Sequence, residues 1–69
     1  MKLRDTVRSS VGFVVVDTCK TFEGFWETMV FKATKSGLVR NYIDVDSARY
    51  VDESSAVDGH KRMIEKWAV

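Results

Sequence analysis

The sequence predicts an α+β domain, a three-stranded antiparallel sheet with one C-terminal helix on one face, in the order β-β-β-α. Three observations carry this. Ala56 to Trp67 places apolar residues at helical spacing. Ser10–Thr21 and Phe25–Thr34 are rich in Val, Phe and Thr, which suit a pleated sheet. Phe22-Glu23-Gly24 and Thr34-Lys35-Ser36-Gly37 read as turns between them.

The helix is expected from about Asp52 to Ala68. Asp52 can accept from an amide two or three residues on, which stabilises a helix start by about 1 kcal/mol. Glu53 in the first turn complements the helix dipole. Ala56, Gly59, His60, Met63, Ile64 and Trp67 form the buried stripe, and Asp58, Lys61, Arg62, Glu65 and Lys66 the exposed one. Gly59 breaks the pattern at a cost of about 1 kcal/mol relative to Ala. Close approach of the helix to the sheet would explain it.

The first strand contains Phe13-Val14-Val15-Val16, and such an unbroken run implies burial on both faces, or one face in the core and one against a partner. In the second, Phe25, Glu27, Met29, Phe31 and Ala33 share one face, and Trp26, Thr28, Val30, Lys32 and Thr34 the other. The first set is more apolar, so Met29 and Phe31 are expected under the helix and Trp26 and Val30 on the outer face. Leu38–Tyr50 is expected to return as the third strand, interrupted near Tyr42-Ile43-Asp44. Residues 1–9 are weakly patterned and read as a flexible arm or an extension of the first strand.

Sixty-nine residues make one domain, 1–69, with a thin margin of stability. Eight aromatics supply bulk. A single cysteine, Cys19, forbids an internal disulfide, and Cys19 with His60 falls short of the roughly four ligands of a structural zinc site. No metal or other cofactor is expected. The 11 Lys/Arg against 10 Asp/Glu give no global footprint for nucleic acid. No apolar run reaches membrane-spanning length. The first residues lack the apolar core of a secretory signal, and an unpaired cysteine suits a reducing compartment, so a cytoplasmic location is expected.

Several strings align with a known pattern. Asp17-Thr18-Cys19, Trp26-Glu27-Thr28-Met29-Val30-Phe31, Arg49-Tyr50, and Gly59-His60 with Met63 and Trp67 resemble a small family of bacteriophage and prophage proteins of the form DTC…(W/Y)ETMVF…RY…GH..M..W. The resemblance covers most of residues 14–67. It implies a phage origin, and a location in the host cytoplasm, more than any activity. The chain departs from the family in having Glu53-Ser54-Ser55 where relatives open the helix with a run of Glu, and Tyr42 where many have Trp.

Cys19 and His60, with Asp17 as an orienting group, are the one combination that could serve nucleophilic chemistry. The alternative is a small apolar thiol in a strand and a histidine touching the sheet, and no catalytic residue is assigned. Asp44 and Asp46, on one strand face with Asp52 and Glu53 nearby, could meet a hard cation, but no calcium loop accompanies them. Residues 41–58 hold five acids and one base, a net charge of −4. Such a patch could meet a basic partner surface, or simply cap the helix and solvate a loop.

The function expected is therefore non-catalytic: a phage accessory protein that binds a host or phage protein, inhibition of a host defence or metabolic enzyme being the concrete form. Trp26, Val30, Asp44, Asp46, Asp52 and Glu53 are the interaction candidates. A homodimer through the outer sheet face or an edge strand is expected as well. The alternatives are a nucleic-acid-binding regulator, using the outer face and the bases Lys2, Arg4 and Arg8, and a small Cys/His enzyme.

Overall fold

A computed structural model describes residues 2–69. It is α+β, with an antiparallel sheet and one C-terminal helix, and the sheet has four strands rather than three. They are β1 (Lys2–Ser9), β2 (Gly12–Lys20), β3 (Trp26–Ala33) and β4 (Asp46–Tyr50), in the order 1-2-3-4, followed by α1 (Glu53–Trp67). Apart from Met1, which lies outside the described residues, the expected arm is β1. It pairs with β2 along its length, Lys2 opposite Cys19 and Ser9 opposite Gly12. The weak patterning that suggested an arm reflects an edge strand with Lys and Arg along one face and Leu3, Val7 and Ser9 along the other.

Residues 38–50 do return beside β3, and the expected interruption is present. Val39 bridges Ala33, residues 41–44 leave the ladder, and pairing resumes with the Val45 amide donating to the Val30 carbonyl at 2.8 Å and Asp46 opposite Val30. The helix starts as expected: the Asp52 carboxylate accepts from the Ser55 amide at 2.7 Å. It packs against all four strands.

The two faces of β3 are exchanged relative to expectation. Val30 joins Val7, Val14, Val16 and Met63 in the core beneath the helix, with Ala48, Ile64 and Trp67 packed around them. Trp26 lies on the same face at 6% exposure, and Val30 is fully buried. Phe31 and Ala33 are also buried, but on the opposite face. The apolar count of each face misled because both are covered. The helix covers one, and the chain from 34 to 45 covers part of the other. Gly37 rests on Thr6 so closely that a Cβ would lie 2.7 Å from its hydroxyl. Tyr42 meets Phe31 edge-on at 5.5 Å. Val15, flanked by Thr6 and Phe31 in the register, is fully buried between these contacts. The expectation of burial on both faces for Val14-Val15-Val16 therefore holds. Each such valine contributes about 1.5–3 kcal/mol.

Gly59 has the reason anticipated for it. The Tyr50 ring lies against its α-carbon, and any Cβ there would overlap the ring. The glycine lets the helix settle over β4.

Candidate protein-interaction surfaces

A line of hydrogen bonds, buried except at its Asp5 end, ties the centre of the helix to the sheet. The Thr28 and Thr18 hydroxyls are 2.6 Å apart, Thr18 Oγ1 is 2.7 Å from His60 Nδ1, and His60 Nε2 is 2.7 Å from Asp5 Oδ2. The Asp5 carboxylate accepts, so Nε2 carries a proton. In the neutral ring Nδ1 then accepts from Thr18, whose oxygen accepts from Thr28. Every buried polar atom in the line is paired, which is the condition for burying it cheaply. The Asp–His–Thr order has the outline of a nucleophilic triad, but both threonines are fully buried and His60 is 3% exposed. A substrate has no route to that hydroxyl, and the line works as a structural tie.

The suggested Cys19–His60 pair is not assembled. Cys19 pairs opposite Glu27 on the outer face, whereas His60 reaches down from the helix to the other face of the sheet. Asp17 also faces outward and binds Arg4 at 2.6 Å, with Lys2 at 3.6 Å. The basic arm invoked for nucleic acid is thus a strand whose first two bases share a carboxylate.

The six interaction candidates fall in different places. Trp26 and Val30 are core residues, so the surface on which self-association was expected to rest does not contain them. Asp46 accepts from Lys66 Nζ at 2.7 Å and Trp67 Nε1 at 2.9 Å, as well as from the Ser47 amide. The Lys66 hydrogen bond, ahead of the others, holds its pKa below the ordinary 3.8 despite partial burial. Asp52 is the helix cap, its pKa lowered by the Ser55 amide. Glu53 is exposed in the first turn and Asp44 in the 41–45 segment. Asp44 and Asp46 do not share a strand face, because β4 begins only at Asp46. Among the described residues no group of three His, Cys, Asp or Glu side chains could hold a metal ion. None of their helices is long and apolar enough to cross a membrane.

Sequence reasoning passed over the segment that covers the outer face. Leu38, Tyr42 and Ile43 are 69%, 75% and 73% exposed, with Val45 beside them. Ile43, Val45, Asn41 and Lys32 line a shallow depression of about 210 Å³. A signal was present: five apolar residues within eight positions, Leu38, Val39, Tyr42, Ile43 and Val45, at neither strand nor helix spacing once the interruption is placed. A second exposed apolar group, Phe22 and Val51, sits at the opposite end of the sheet, where Arg49 lies over the Phe25 ring at 4.7 Å.

Comparison of the chain with protein-family models, with curated proteins and with solved structures gives no match.

Proposed function

We propose that this chain is a small phage-encoded accessory protein that acts by binding a host or phage protein, with inhibition of a host defence or metabolic enzyme as its concrete form. The observation that carries the binding reading is the exposed apolar segment Leu38–Val45. Apolar residues scattered singly on a surface are ordinary, whereas exposed apolar groups mark interaction surfaces, and here Leu38, Tyr42, Ile43 and Val45 are exposed within eight positions. Tyr42 at the middle of the patch is a residue type enriched at binding hot spots. Asp44 beside it supplies the acidic character first read from the sequence and, unlike Asp46 and Asp52, has no structural task in the hydrogen bonding described above. The phage assignment rests on the string resemblance alone.

The test is capture from a bacterial host lysate by the wild-type protein and by a Leu38→Ser/Ile43→Ser variant, followed by direct titration of whatever is retained. The wild type should retain a partner that the equally folded variant loses. Equal capture by both would remove this segment from the function. A folded protein that acts on a small-molecule substrate without any retained partner would replace binding with catalysis.

A further inference from the structure

The geometry points to the free edge of β1 as a strand-addition site for an extended acidic segment of a partner protein. This is a second surface, remote in the chain from the 38–45 patch; Gly37, just before that patch, touches the Thr6 side chain at its border.

β1 is the outermost strand and, at eight residues, is longer than the opposite edge strand β4. The Arg8 carbonyl accepts from the Val69 amide at 3.2 Å, so it faces away from β2. In an antiparallel ladder alternate residues turn their backbone groups to alternate sides. The N–H and C=O groups of Lys2, Arg4 and Thr6 therefore face the same free edge. Val69 already makes one strand-like bond there, and the positions of β1 before Arg8 are open to continue the pairing.

The side chains on either side of that edge define the occupant. On the outer face stand Lys2, Arg4 and Arg8, in step with Thr6. Asp17 answers the first two, and Arg8 has no carboxylate partner among the described residues. On the helix side a groove of about 710 Å³ lies beside the second half of the strand, residues 6–9, lined also by Ile64, Ala68 and Val69. Asp5, half-exposed on that side, marks where the apolar lining stops and is engaged by His60. A strand laid along the edge points alternate residues to these two sides. The matching segment carries Asp or Glu on one side and apolar residues on the other. A second copy of β1 matches badly. Two such strands in antiparallel register would set cations against cations on the outer face, and directly opposed like charges destabilise a sheet. The same bases blunt the edge against self-pairing.

The test uses the whole ¹⁵N-labelled chain and a ten-residue peptide of alternating glutamate and valine. Amide exchange at Arg4 and Thr6 should slow on binding, with chemical-shift changes confined to β1, Val69 and the groove. A lysine–valine peptide should bind at least tenfold more weakly, and Arg8→Glu should weaken the acidic peptide by a similar factor. Thr6→Pro removes an edge donor that β2 does not use, so it should abolish binding; it also removes the hydroxyl on which Gly37 rests, so binding is compared at a temperature where the variant is still folded. If Thr6→Pro fails to fold, Arg8→Glu still decides the matter. Unchanged edge exchange at saturating peptide overturns the proposal, and so does equal binding of the two peptides. Protection of the same amides that rises with protein concentration in the absence of peptide also overturns it, in favour of a second copy. Leu38→Ser/Ile43→Ser should leave the peptide result intact, which separates a failure here from a failure of the 38–45 reading.

Discussion

The two faces of this sheet bury their valines by different means. Beneath the helix, Val7, Val14, Val16 and Val30 meet Met63 from a regular element whose stripe repeats every three or four residues. On the other side Val15 and Phe31 lie under an irregular segment fastened at Gly37–Thr6 and Tyr42–Phe31. A helix can turn its polar face outward as a unit. An irregular cover of a dozen residues cannot, and it leaves Leu38, Tyr42 and Ile43 in water. The difference separates the work of the two layers. One supports the fold, and the other closes a gap while presenting an apolar surface.

The largest effect that could break this division is loss of the helix-side core. Met63→Ala should cost about 2–5 kcal/mol, a large share of what a domain this small has to lose. Chemical denaturation measures it. A cost below about 1 kcal/mol would mean that the helix is no more than a second loose cover.

The polar line is the next test. Thr18→Val removes the hydroxyl that joins His60 to Thr28 and should cost about 1–3 kcal/mol, because the groups left behind are buried without partners. The triple change Thr18→Val/Thr28→Val/His60→Leu should recover most of that loss, since replacing all members by apolar groups leaves nothing unpaired. If the triple variant is worse than the single one, the line is doing more than tying helix to sheet.

The helix and its polar exposed stripe were legible because one period of 3.6 runs through it and Asp52 marks its start. The interruption in the return strand was legible because Tyr42-Ile43-Asp44 breaks alternation. The faces of β3 were not, because alternation fixes which residues share a side and says nothing of which side the helix takes. With Thr18 and His60 hidden as partners, Thr28 looked like a surface residue. β1 was hidden by its own edge chemistry: Lys2, Arg4 and Arg8 read as a charged arm until β2 is placed alongside. Of the site candidates, Asp44 and Glu53 remain surface groups. Asp46 and Asp52 proved to be structural, since acids near a helix start cap and brace it as readily as they bind a partner.

Acid should expose the rim of the helix side before its centre. Asp46 and Asp52 have folded-state pKa values held below the ordinary 3.8, by Lys66 and by the Ser55 amide respectively. As pH falls the unfolded chain takes up these protons first, so their stabilising effect is complete above 3.8 and is lost as pH drops through the folded values. Asp46→Asn should flatten this acid limb while costing about 1 kcal/mol at neutral pH, the net worth of a typical hydrogen bond. Melting temperature followed from pH 7 downward reads both. An acid limb unchanged by Asp46→Asn would mean that the Lys66 and Trp67 contacts do not brace the helix.

The smallest expected effect lies on the other face and is the most direct challenge to the division of labour. Leu38 and Ile43 are mostly in solvent, so replacing both with serine removes little buried area. Each change should move stability by no more than about 0.5 kcal/mol, as surface substitutions ordinarily do. Tyr42→Ser should cost slightly more, about 0.5–1.5 kcal/mol, because its ring also packs edge-on against Phe31. Denaturant midpoints for the three variants give the comparison. A loss of several kcal/mol from Leu38→Ser/Ile43→Ser would make the exposed residues part of the fold after all, and the apolar patch would then need no partner to account for it. A stable variant whose partner capture is gone would show that these side chains are held in water for something outside the chain.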